Sequence, residues 1–214
     1  MEKRRIGLFG GSFNPPTKAH LYVAEQLIER GIVDDVQFVP AYVSYHHKEY
    51  EASCTDRLSM LSLMVDESKY KQNLSVNAFE MIHKMQSSTY DFVTRFCDEG
   101  ADSTNKYYFI VGGDNARKVP NFINGEELIK SIPFIVVNRG YENIESIEWC
   151  NNDPHITVNI GDVLPFCSST QIRNAIHNIE ENGLPKRFFN CCSLHVFAYI
   201  LNSELYMEKS DENS

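Results

Sequence analysis

The chain has 214 residues, 43% of them hydrophobic and 23% charged, with a formal net charge of −9 at pH 7. That length fits one domain with a core of its own, and the negative charge argues against a nucleic-acid polymer or an anionic membrane as partner. A small anion stays admissible, because a local group of Lys, Arg and His can hold it inside an acidic protein. Residues 1–206 read as a single domain and 207–214 as a polar, disordered tail. Lys3-Arg4-Arg5 resembles the start of a signal peptide, but the apolar run behind it is too short, and no stretch approaches the ~20 apolar residues that span a bilayer. The six cysteines form no Cys-x-x-Cys pair and read as reduced thiols of a cytoplasmic or nuclear protein.

The first predicted strand is the apolar run 5–9. It enters Gly10-Gly11-Ser12-Phe13-Asn14-Pro15-Pro16-Thr17-Lys18-Ala19-His20 and then an amphipathic helix over 18–30. Backbone N–H groups and the helix dipole favour an anion at such a turn. The turn is neither the dinucleotide fingerprint nor the P-loop. Thr17 and His20, three apart at a helix start, share one face and so point toward one anion.

Further strands are predicted at 36–40, 74–77, 107–111, 134–138 and 157–160. Helices are predicted at 55–66, 90–98, 125–130, 170–179 and 193–205. Several strands are continuous apolar runs, as in a sheet covered on both faces. The alternation implies an α/β fold with a doubly wound, mostly parallel sheet and a small C-terminal helical part. Ligands bind beyond the carboxyl ends of such strands, which selects the segments 10–20, 41–48, 112–115 and 139–140.

The helix at 170 opens on Phe166-Cys167-Ser168-Ser169-Thr170-Gln171-Ile172-Arg173. Ser168, Ser169 and Thr170 are good N-caps, and Arg173 lies one turn in, facing the same end. Hydroxyls, N–H groups and a guanidinium together suit a polyphosphate.

Taken together, the Thr-x-x-His and Ser-Ser-Thr-x-x-Arg motifs resemble those of the nucleotidyltransferase superfamily with its Rossmann-like fold. The intervening segments resemble the nicotinamide/nicotinate mononucleotide adenylyltransferases. They are Val39-Pro40-Ala41, His46-His47-Lys48, Asp56-Arg57-Leu58, Thr89-Tyr90-Asp91, Val111-Gly112-Gly113-Asp114 and Val136-Val137-Asn138-Arg139. The likeness covers about residues 5–179. It implies transfer of AMP from ATP to a pyridine mononucleotide with release of pyrophosphate, and Mg²⁺ held mainly through the ATP phosphates rather than by a protein metal site.

It also implies roles. His20 and Arg173 would be catalytic. Gly10, Ser12, Phe13, Thr17, Lys48, Gly112, Asp114, Ser168, Ser169 and Thr170 would meet ATP with them. Gly11, Ser12, Lys48, Thr89, Tyr90, Phe122 and Arg139 would meet the mononucleotide. The chain departs from the family pattern at Ala19, Cys167 and Phe122, and Thr17 stands where many members have a first histidine. A relative with another acceptor, such as phosphopantetheine, a cytidylyltransferase, and a non-catalytic nucleotide sensor are the alternatives. The choice between nicotinate and nicotinamide, and a homo-oligomeric state, stay open. His83, His155, His177 and His195 show no metal-ligand spacing and read as ordinary core or surface residues, and Trp149 as packing.

Overall fold

The computed structural model describes residues 2–43, 50–138, 143–161 and 167–207. Lys48 and Arg139 lie outside the described residues, as does the expected tail beyond Met207. The elements in chain order are β1 (Arg4–Gly11), α1 (Lys18–Glu29), β2 (Asp35–Pro40), α2 (Cys54–Asp66), β3 (Leu74–Val76), α3 (Phe79–Ile82), α4 (Thr89–Glu99) and β4 (Asn105–Gly112). They continue with α5 (Gly113–Ala116), α6 (Gly125–Ser131), β5 (Phe134–Asn138), β6 (Ile156–Asn159), α7 (Ser169–His177), α8 (Ile179–Asn182), α9 (Phe188–Cys191) and α10 (Leu194–Asn202). The predicted strands are all present. The short helices α3, α5, α8 and α9 lack the length over which helical periodicity can be read.

The sheet has six strands in the order β3-β2-β1-β4-β5-β6, every pair parallel. Chain direction across the sheet reverses between β1 and β4, and the crevice outside that junction is where a doubly wound sheet takes its ligand. Because all strands run one way, the loops after β1, β2, β4 and β5 leave from the same edge.

Alternation along the strands splits the interior into two cores. In β5, Ile135 and Val137 join the cluster under α1, α2, α7, α9 and α10, while Phe134 and Val136 join the cluster under α4 and α6. Tyr108 and Ile110 of β4 face the first core and Val111 the second. This is the two-sided burial that the apolar runs implied. The C-terminal helices contribute Phe188, Cys192, Val196 and Ile200 to the first core.

Leu8 sits at the middle of β1, opposite Gln37 and Phe109, with no exposed surface. Leu8→Ala should lower the free energy of unfolding by about 2–5 kcal/mol through lost transfer energy and a residual cavity. Urea denaturation reads this as an earlier midpoint at unchanged slope.

Candidate functional site

The first loop leaves β1 over Gly10 and Gly11. A Cβ on Gly10 would come within 2.8 Å of the Phe109 ring, and one on Gly11 within 3.0 Å of the Phe13 ring. These glycines therefore seat aromatic rings beneath the loop. Phe13 adopts a left-handed backbone (φ +47°) and buries its ring almost completely, against Phe9, Phe38 and His20. The ring belongs to the core, so any contact of Phe13 with a ligand in the loop is left to its backbone.

Thr17 caps α1 and His20 closes a reciprocal pair with it. The Thr17 backbone N–H donates to His20 Nδ1 at 3.0 Å, and the Thr17 hydroxyl lies 2.9 Å from the same nitrogen. The two side chains share one face, as their spacing requires, but they meet each other. A nitrogen that accepts an N–H carries its lone pair, so the proton of the neutral ring sits on Nε2. The ring is wedged edge-on against Phe13 and Phe9, at centroid distances of 5.1 and 5.9 Å. Thr17 thus orients an imidazole that presents a donor.

The second motif docks directly on the first. Ser169 Oγ donates to the Pro15 carbonyl at 2.7 Å, across 154 residues of chain. Arg173 Nη1 donates to the Asn14 carbonyl at 2.8 Å, and its Nε pairs with Glu51 Oε1 at 3.0 Å. Ser168 is the N-cap of α7, exchanging hydrogen bonds with Gln171. Thr170 is exposed on the first turn, its hydroxyl 3.5 Å from Arg173 Nη2. The N-terminal ends of α1 and α7 are thereby fastened to one loop, with His20 and Arg173 flanking it.

On the adjacent strand, Gly112 ends β4 and Asp114 lies exposed in the first turn of α5. A Cβ on Gly112 would meet Asp114 Oδ1 at 2.6 Å, so the glycine lets that carboxylate fold over the strand end. Thr89 and Tyr90 open α4 behind the Ser88 cap. Tyr90 and Phe122 both pack, half-buried, against the second core. Of the residues of lesser expectation, Trp149 packs between Phe134 and His155, and His195 pairs with Glu67. Among the described residues no group of three or more His, Cys, Asp and Glu is arranged to hold a metal ion, and no helix is long and apolar enough to cross a membrane.

The supports of the site were not assigned roles from sequence. Arg57, with no exposed surface, donates through Nη1 to the carbonyls of Ser12 (2.9 Å) and Ala41 (2.7 Å), and through Nη2 to that of Tyr42 (3.2 Å). It ties the loop after β1 to the loop after β2. The signal was legible: Arg57 stands on the stripe it shares with Met60, Leu61 and Met64, the buried face of α2. Glu80 of α3 accepts the Tyr42 N–H at 3.1 Å. Burial pushes its carboxyl from an ordinary 4.5 up to about 7, against the smaller pull of the Tyr42 N–H and Arg57 toward the carboxylate.

Residues 8–175 match the family model described as cytidylyltransferase-like. A protein of Listeria monocytogenes named "Probable nicotinate-nucleotide adenylyltransferase" is 30% identical over 208 residues, covering 97% of this chain and 100% of the relative. One of the same name from Enterococcus faecalis is 30% identical over 210 residues, covering 98% of this chain and 88% of its own length. Among solved structures, nicotinic acid mononucleotide adenylyltransferase of Plasmodium falciparum complexed with NaAD superposes with a TM-score of 0.79 at 20% identity, covering 95% of this chain and 97% of that one.

A carboxyl whose folded pKa is raised keeps its proton at little cost, so its contribution to stability is whole below about pH 4.5 and fades as pH rises through 7. Between pH 5 and pH 8 the protein should lose on the order of 2 kcal/mol from this group. Glu80→Gln retains an acceptor for Tyr42 and should abolish most of that loss, which thermal melts at the two pH values resolve.

Proposed function

The chain belongs to the cytidylyltransferase-like family and, within it, to the nicotinate-nucleotide adenylyltransferases; from that premise we propose that it joins ATP to nicotinate mononucleotide, forming the dinucleotide and pyrophosphate in NAD biosynthesis. The observation that carries this reading is the docking of the Ser168–Ser169–Thr170–Arg173 helix start onto the carbonyls of Asn14 and Pro15. It puts a guanidinium and an imidazole on either side of one loop at the carboxyl edge of β1. Nicotinate is chosen over nicotinamide on the names borne by the relatives.

The reaction is an in-line displacement. The 5′-phosphate oxygen of the mononucleotide forms a bond to the α-phosphorus of ATP, the bond to the β-phosphate oxygen breaks, and the electron pair leaves with pyrophosphate. The nucleophile is already an anion, so neither a general base nor a covalent enzyme intermediate is needed. Catalysis then rests on alignment and on meeting charge as it develops.

In this reading His20, held by Thr17, donates from Nε2 to the α-phosphate. Arg173 and the free N–H groups at the start of α7 receive the β- and γ-phosphates. Gly10, Gly11 and Ser12 line the path between them, and Asp114 accepts from the ATP ribose. Thr89, Tyr90 and Phe122 form the pyridine end, and Lys48 and Arg139 are assigned to the substrates' negative charge. The donors assigned to the polyphosphate suit anions and not cations, so a Mg²⁺ ion would be held through the ATP phosphates and would supply charge neutralisation there.

Pyrophosphate release from ATP and nicotinate mononucleotide tests the reading. The mononucleotide with the carboxylate should exceed its amide in kcat/KM at least tenfold. ATP binding without turnover on either acceptor would make the protein a sensor. His20→Ala should reduce kcat about 10²–10³-fold while KM for the mononucleotide moves little, the mark of a group engaged at the transition state. A folded His20→Ala variant with near-wild-type turnover would remove His20 from the mechanism.

A further inference from the structure

Asn14 is the point where three separate parts of the chain meet. Its backbone carbonyl receives Arg173. Its side-chain Oδ1 receives the Tyr206 hydroxyl at 2.7 Å and, more weakly, the Ala52 N–H at 3.4 Å. Asn14 and Tyr206 are both buried, at 6% and 4% exposure, so this bond is made without competition from water. Tyr206 lies 192 residues from its partner and belongs to the short segment that follows α10.

That segment is built to bring the ring inward. Helix α10 is held on α2 by the Tyr199 hydroxyl, which donates to Asp56 Oδ1 at 2.9 Å. The chain then turns through the hydrogen bonds of Ser203, Glu204 and Leu205 back to Tyr199, Leu201 and Ile200. Glu204 and Tyr206 take left-handed backbone conformations, φ +51° and +62°. Left-handed geometry at two non-glycine residues persists only where the surroundings hold it, and it tends to mark functional placement. Burial raises the pKa of the Tyr206 phenol, so the hydroxyl remains a donor throughout the neutral range.

We infer that Tyr206 is a positioning residue for the nucleotide clamp: its hydroxyl fixes the Asn14 side chain, and thereby the carbonyl on which Arg173 is aligned. The inference rests on the adenylyl-transfer reading above. The hydroxyl donates to Asn14 and acts through it. If it only filled space, the phenyl ring alone would serve.

Tyr206→Phe keeps the ring and removes the one oxygen. It should fold with an unchanged far-ultraviolet spectrum and lower kcat about 5–20-fold, with KM for the mononucleotide within twofold of wild type. In an Arg173→Ala background the same substitution should cost less than twofold, because the residue it positions is gone. A Tyr206→Phe variant within twofold of wild type in kcat overturns the inference. So does an equal loss with and without Arg173. Should Tyr206→Phe fail to fold, Asn14→Leu removes the acceptor while sparing the backbone carbonyl, and must show the same loss in kcat. Wild-type turnover is measured alongside: its absence defeats the adenylyl-transfer reading, whereas its presence with an unaffected Tyr206→Phe defeats only the positioning role.

Discussion

The site depends on two backbone carbonyls, those of Asn14 and Pro15. Each is an acceptor that no sheet or helix ladder uses, and each is taken by a side chain from the start of α7. A buried carbonyl left without a donor costs about 1–3 kcal/mol, and a hydrogen bond from a charged donor is among the stronger ones available. The loop and the helix therefore stabilise one another. The contact brings the guanidinium to the loop beside which Thr17 and the aromatic rings hold the imidazole.

Around these acceptors the protein places its cations with care. The chain is acidic overall, yet the groups that fix the first loop are Arg57 and Arg173. Arg57 is fully buried and meets carbonyl oxygens instead of carboxylates. Its Nη1 and Nη2 are met by dipoles while its buried Nε has no hydrogen-bond partner among the described residues, and the Tyr50 ring lies 4.2 Å from it on one side. Arg173 is half-buried and shares its charge with Glu51. In the proposed reading Arg173 meets the polyphosphate, a local cation within a chain of net charge −9.

The aromatic floor serves the same end. Phe9, Phe13, Phe38 and His20 pack as one group beneath the loop. Gly11 leaves the space the Phe13 ring needs, and a left-handed Phe13 turns its ring under the loop. An imidazole held by edge-on packing against Phe9 and Phe13 and by a hydrogen bond on Nδ1 has little freedom left to lose on binding a ligand. This is preorganisation of the kind that electrostatic catalysis requires.

Much of this was legible in the sequence, and for local reasons. Alternating apolar runs and amphipathic segments were enough for a parallel α/β sheet, because strand and helix periods differ and a helix between strands leaves few other topologies. Caps at Thr17 and Ser168 were readable because a cap is a matter of residues three apart. What a residue does across the chain was not readable in the same way. Nothing local showed that the Phe13 ring is buried beneath the loop. The spacing of Thr17 and His20 placed them on one face but did not show that they would bond to each other. Arg57 stood on a buried stripe, but nothing local says which carbonyls it meets. Tyr206 sits in a stretch with no pattern at all, since its partner is 192 residues away. The sequence by itself determined the elements, their order and the two motifs, since these rest on short-range geometry. Only the tertiary structure decided which hydroxyls are spent on carbonyls and which donors face the cleft, because a hydrogen bond between distant segments depends on where the sheet brings them, and no spacing along the chain records that.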